Sequence, residues 1–315
     1  MPARHILLAA GAGIAGAVLF AAWLTGSLWA LALTYLTPLP LFAAGLSLGV
    51  KAAVIAAVAG TLAVMAAGDW GFALFFAVAN AIPMALITRQ ALLNRTRSDG
   101  RIEWYPPGAL VMTVTYISTA AFLLLLLIGS GAEGGLEGYT RETLTRALKL
   151  LAPPEVPADA IPALAAAMAR YIPGLAAVTW IQMIAINAIF AQALLSLSGR
   201  NLRPSPRMSE IELPQWLSVA AAIAALGAFM PGLAGFLGGN LLLIALAAFV
   251  FAGFAVIHAA AAAWSRTSGS SRIWLALVYA FTLAFTWPAV LVAALGVADT
   301  TIGLRRRLAG YAPKD

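Results

Sequence analysis

ILLAAGAGIAGAVLFAAWLTGSLWALALTYLTPLPLFAAGLSLGVKAAVIAAVAGTLAVMAAG, residues 6–68, runs for 63 residues with one formal charge, Lys51. No water-soluble fold tolerates such a run, and roughly 20 apolar residues already span the hydrocarbon of a bilayer as a helix. The stretch therefore predicts three crossings, near 5–24, 28–48 and 50–67. Pro38 and Pro40 interrupt the second of them. A proline removes a backbone donor and clashes with the preceding turn, so this helix is expected to be kinked or broken.

The rest of the chain repeats the pattern. Its 315 residues are 62% hydrophobic and 10% charged, with a mean hydropathy of +0.92, whereas a soluble domain carries about 25% charged residues. Unbroken apolar runs exclude a membrane β-barrel, whose strands alternate over about 10 residues. The fold class is thus all-α, a polytopic transmembrane bundle. Further spans are expected near 71–90, 108–129, 172–197, 214–231 and 238–264. The last run, 273–303, contains Pro288 and reads either as a hairpin of two short helices, or a re-entrant turn, or as one tilted helix. That makes about nine or ten membrane segments in a single integral domain, 1–315, with an extramembrane insert at 130–170. In the insert Leu144, Leu148 and Leu151 share one face of an amphipathic helix, the pattern of a helix lying in the interface plane. A second Ala-rich helix is expected over 158–170. The insert reads as a solvated connector or as a lid.

The formal charge of +7 lies in short loops between apolar runs, so its expected partners are membrane lipids rather than nucleic acid. With the amino terminus in the cytoplasm, Arg4, Lys51, the arginines at 89, 95, 97 and 101, those at 200, 203 and 207, and those at 266 and 272 all lie inside. Those eleven basic residues stand against Arg141, Arg146, Lys149 and Arg170 outside, an asymmetry that sets the orientation; the membrane expected is a bacterial inner membrane. The hairpin reading of 273–303 returns the basic tail, Arg305 to Lys314, to the same side.

Polar groups inside spans are costly and usually face the bundle interior or a cavity. Asn80, Gln182, Asn187 and His258 are the candidate ligand-binding residues on that ground, with interhelical hydrogen bonding as the alternative for each. Five positions along a helix turn the side chain by about 140° at roughly 100° per residue, so Gln182 and Asn187 do not share a narrow face. Pro38, Pro40, Pro83 and Pro288 are the expected kinks. Asp299, the one acid of the last run, is expected to pair with Arg305 or Arg306. The glycine spacing of Gly11, Gly13 and Gly16 matches a dinucleotide-binding loop but follows no strand; small residues four apart, such as Gly11 with Ala15, instead allow close helix approach. No metal-ligand spacing, nucleophile elbow or phosphate loop is present and there is no cysteine, so no enzyme activity, cofactor or metal is expected.

Three segments carry a resemblance: Pro38 to Gly49, Gly253 to His258, and Leu295 to Asp299 followed by Leu304 to Arg307. Together they resemble the YybS-like family of predicted bacterial membrane proteins, a domain of unknown function. At greater distance the chain is similar to the substrate-binding subunits of energy-coupling-factor vitamin transporters and to a rod-shape membrane protein grouped with them. Those subunits have about six helices, and their first helix docks a partner through an Ala-x-x-x-Ala surface, a spacing that Ala17 and Ala21 supply here. The YybS-like family has no established activity; the residues themselves point to a small-molecule binding or transport component, its cavity bordered by the broken second span, Asn80, Gln182 and Asn187. The alternative is a membrane scaffold, holding other membrane proteins in envelope growth with no transported substrate.

Overall fold

A computed structural model of the protein describes residues 1–151, 156–265, 271–285 and 287–310. Pro153, Pro154, Glu155, Arg266 and Lys314 lie outside the described residues. Among the described residues, seven helical stretches are long and apolar enough to cross a membrane, and three shorter apolar helices accompany them. The chain divides into two compact units, one of residues 1–114 and 182–207, the other of residues 115–181 and 208–315.

The first unit starts with α1 (Ala3–Ala21) and continues through a short turn of tight helix, Ala22–Thr25, into α2 (Leu28–Tyr35), α3 (Pro38–Leu48) and α4 (Val50–Ala67). Small residues decide how α1 meets α4. Ala9, Gly13 and Ala17, four apart, are all buried, and a Cβ placed on Gly13 would sit 2.8 Å from the Gly60 backbone nitrogen. The motif Gly11 with Ala15 is instead exposed, one face round from the packed row. The glycine-rich stretch is helix throughout, so its glycines form no dinucleotide-binding loop.

The second span is two helices. Pro38 has no N–H, so the Thr34 carbonyl loses its ordinary helical donor and accepts the Thr37 hydroxyl at 2.7 Å. The Leu39 N–H turns to the Leu36 carbonyl, 3.0 Å away, and so leaves the Tyr35 carbonyl free. Pro38 begins α3, and Pro40 sits within its first turn without a further break.

The fourth span is likewise divided into α5 (Trp70–Phe76), a wide π turn over Ala77–Ala81 and α6 (Ile82–Ala91), with Pro83 in the first turn of α6. The hydrophilic segment after it forms a small hairpin, β1 (Asn94–Thr96) with β2 (Ile102–Trp104), closed by an Arg95–Glu103 pair at 2.8 Å. Arg95 holds the Glu103 carboxyl below its usual range. The pair's small contribution is present above that range and fades as pH falls through it; both side chains are exposed and salt screens them. From this unit's part of α7 (Pro107–Gly129), Thr113 donates to Gln90 on α6.

The second unit includes two helices of the insert, α8 (Gly135–Leu151) and α9 (Ile161–Ala169), close to the expected positions. Leu144 and Leu148 are half-buried on α8, and Leu151 is exposed at its end. The next helix, α10 (Ile172–Leu197), is shared between the two units. In the second unit follow α11 (Trp216–Ala228) and α12 (Gly232–Ser265), the latter starting six residues before the expected 238. The last run is two helices, α13 (Ser271–Ala284) and α14 (Pro288–Ile302), which sets aside the single tilted helix. Pro288 opens α14, where a missing N–H costs nothing. The chain closes with α15 (Leu304–Gly310).

Asn240 is the polar centre of the second unit and is wholly buried. Its Oδ1 accepts the Gly174 N–H at 2.6 Å, satisfying a first-turn donor of α10 that the helix itself leaves orphaned. Its Nδ2 donates to the Arg170 carbonyl at 2.9 Å and to Phe236 at 2.7 Å. Three bonds at the roughly 0.6 kcal/mol typical between membrane helices give about 2 kcal/mol. Asn240→Ala is therefore expected to lower the unfolding temperature in detergent by several degrees, read by the loss of the folded peak in size exclusion after heating.

Candidate functional site

Each sequence-derived candidate occupies a definite place. Asn187 is fully buried, and its Nδ2 donates to the freed Tyr35 carbonyl at 2.8 Å and to Met183 at 2.8 Å. It thus satisfies the carbonyl left free where the Leu39 N–H turns to Leu36, at the break between α2 and α3. Gln182 faces the other way, exposed on α10, as the 140° turn between the two requires. The pair does not form one site. Asn80 is buried in the π turn; its Oδ1 and that of Asn187 are both enclosed without a hydrogen-bond partner among the described residues. His258, on α12 in the other unit, sits 3.0 Å from the Tyr279 hydroxyl, and Tyr279 stacks on Phe254. Asp299 pairs with Arg305 at 2.7 Å, whereas Arg306 is exposed and takes no part in that pair.

Arg203 departs most from the expectation. Counted among the loop cations that set topology, it is buried at 5% exposure. Its guanidinium donates to the Ala91 carbonyl, the last of α6, at 2.9 Å and to Tyr105 at 2.8 Å. Gln192 in turn donates to the Arg203 carbonyl at 2.7 Å. A cation suits a helix C-terminus because the unsatisfied carbonyls there carry partial negative charge.

The grooves lie elsewhere than the amides. In the first unit a groove of about 580 Å³ is lined by Phe20, Trp23, Thr34, Asp69, Gly71, Phe72 and Phe75. It borders the broken second span, since Thr34 belongs to the last turn of α2. Asp69 caps α5, its Oδ1 accepting the N–H groups of Gly71 at 2.6 Å and Phe72 at 3.0 Å. Trp23 and Phe72 rings lie 5.6 Å apart, Phe20 and Phe75 rings 6.1 Å apart. In the second unit a groove of about 570 Å³ runs past Arg170, Tyr171, Met230 and Leu242. There the Arg170 guanidinium is engaged by the Ala228 carbonyl at 3.1 Å. Among the described residues no group of three His, Cys, Asp or Glu side chains is placed to hold a metal ion.

A family model described as Predicted membrane protein (DUF2232) matches residues 14–300. The chain belongs to that family. No curated protein and no solved structure gives a match. The DUF2232 match takes in both grooves, both broken spans and every candidate residue except Arg305 and Arg306. With its several apolar helices, this DUF2232 chain is a multi-pass membrane protein.

Asp69 and Trp23 escaped the sequence reading because each lies at the end of an expected apolar span, where polar and aromatic residues commonly mark the headgroup level. Asn240 escaped because a single amide in Gly-Gly-Asn disappears within a long apolar run. The available signal was the cost of an amide in hydrocarbon, which applies to Asn240 as it does to Asn187.

Proposed function

We propose that the protein is a small-molecule binding or transport component of a bacterial inner membrane, with its amino terminus in the cytoplasm, and that it catalyses no reaction. The observation that carries this reading is the groove beside the broken second span, where four aromatic rings, one hydroxyl and one carboxylate converge. Sites that combine a largely apolar wall with a few polar groups hold small ligands, at volumes of roughly 300–1,000 Å³. Interrupted helices are where transporters place such sites. The finer likeness to YybS-like proteins and to energy-coupling subunits belongs with this proposal, as does the orientation, which rests on the basic loops and on the division of 273–303 into two helices. The site moves from the amides to the aromatic groove, since the Asn187 Nδ2 is spent on two backbone carbonyls and Gln182 faces outward.

Purification in mild detergent followed by native mass spectrometry tests the reading. A low-mass species is expected to copurify with the parent and to be lost from a Trp23→Ala, Phe72→Ala variant that elutes normally. Equal retention by parent and variant, or no such species from either, counts against the groove. Scaffolding is the second reading, favoured by the exposed small-residue pair Gly11 and Ala15 on α1, where a Cβ added to Gly11 would meet no neighbouring element within 4 Å among the described residues. The Ala17 and Ala21 spacing does not serve it, because Ala17 is packed within its own unit.

A further inference from the structure

Apart from the Trp23 indole N–H, the polar side-chain atoms lining the first unit's groove are acceptors. Asp69 is placed by its capping bonds through Oδ1, and no lysine, arginine or histidine among the described residues pairs with it, so Oδ2 keeps its charge unneutralised. Thr34 donates its hydroxyl proton to the Ala30 carbonyl at 2.9 Å, which leaves only lone pairs for a ligand. The remaining wall is aromatic. Phe20 is buried and held edge-on against Phe76 at 5.3 Å, and Trp23 and Phe72 lean on one another at an interplanar angle of 50°. Aromatic faces carry negative potential and attract cations within about 6 Å of the ring centroid. Carboxylate, hydroxyl lone pairs and ring faces thus share one sign. A neutral apolar ligand would leave the carboxylate unused, and an anion would be repelled by it.

We propose that this groove takes an organic cation, a quaternary or primary ammonium carried on an apolar body, with Asp69 as counter-charge and the Trp23, Phe72 and Phe75 rings around the substituents. The proposal rests on the groove being the ligand site and adds the class of ligand. Two sources share that chemistry: a soluble cation, or the ammonium headgroup of a lipid.

The test titrates the full chain, in a nonionic detergent free of zwitterions, with benzyltrimethylammonium and with neopentylbenzene, its uncharged isostere, following heat release. The cation is expected to saturate at least tenfold more tightly than the isostere. Asp69→Asn retains an oxygen able to cap α5 and removes the charge. It is expected to weaken cation binding about tenfold, leave the isostere unchanged and preserve the elution profile. Trp23→Leu is expected to weaken both. If the isostere binds as well as the cation and Asp69→Asn alters neither, the cation class is overturned while the groove stands as a ligand site. If neither compound binds, the groove reading falls with it. Repeating the titration in nanodiscs separates the sources: competition by phosphatidylethanolamine or phosphatidylcholine identifies a lipid headgroup, and unchanged affinity a soluble cation.

Discussion

Asp299→Ala is expected to destabilise the protein by about 3–5 kcal/mol, the cost of breaking a buried ion pair from one side. The Asp299 side chain is 5% exposed and that of Arg305 is 15% exposed. Asp299 accepts the Arg305 backbone N–H at 2.9 Å and its Nε–H at 2.8 Å. The same guanidinium donates to the Ser209 carbonyl at 2.5 Å and to Ile211 at 2.7 Å, so one residue ties the turn after α14 to the segment entering α11. Gly303, at φ 66°, makes that turn possible, a left-handed conformation glycine adopts without strain. Without the carboxylate, a guanidinium stays enclosed with carbonyls alone. The measurement is the midpoint of thermal unfolding in detergent, expected to fall by roughly 5–10 °C at about 2 °C or more per kcal/mol. Asp299→Leu with Arg305→Met is expected to recover part of the loss, since the penalty arises largely from the charge left unpaired. A single variant that melts with the parent would remove the latch from the account.

Gly253→Leu is expected to be at least as damaging, about 3 kcal/mol or more. A Cβ on Gly253 would meet the Val292 carbonyl oxygen, and one on Gly296 would meet that of Phe249, so the backbones of α12 and α14 touch with no room for a side chain. Removing a glycine from a helix interior gains about 1 kcal/mol in propensity. Overpacking in a tight core costs about 1–3 kcal/mol and more where the obstacle is backbone, so the steric cost wins. Gly11→Leu is the matched control. A Cβ on Gly11 would meet no other part of the described structure within 4 Å, so the propensity gain is unopposed and the variant is expected to be as stable as the parent or slightly more so. Heating series on both variants, scored by the folded fraction in size exclusion, separate the two effects. Similar behaviour of the two would show that helix propensity, not close packing, governs the glycines.

Much of the fold was legible because lipid imposes a simple rule. A backbone in hydrocarbon must satisfy itself, so each apolar run of sufficient length is a helix, and the expected 50–67, 108–129 and 172–197 agree with α4, α7 and α10 within a residue or so. Proline marked the breaks for an equally local reason. Pro38 ends one helix and starts another, and Pro288 does the same after α13. The hairpin of β1 and β2 was not legible, since its strands are three residues long and carry no alternation.

The site was legible only in part. That Asn187 matters could be read from the cost of an amide in a span; that it serves the Tyr35 carbonyl could not, because 152 residues separate them. Arg203 and Arg207 look alike in the chain, yet Arg203 finds the last carbonyl of α6 and the Tyr105 carbonyl after β2 and is buried, while Arg207 is exposed. In the same way the sequence admits either Arg305 or Arg306 as the partner of Asp299, and only the turn at Gly303 selects Arg305.

By itself, then, the sequence determined the class of molecule, the places where helices run and the places where they break, because hydrophobic length and the chemistry of proline act within a few residues. Tertiary structure decided which small residues touch, which polar groups are consumed in closing backbone gaps, and where rings and a carboxylate meet to leave a groove. Those outcomes depend on the packing of helices distant in the chain, and neither composition nor periodicity encodes that register.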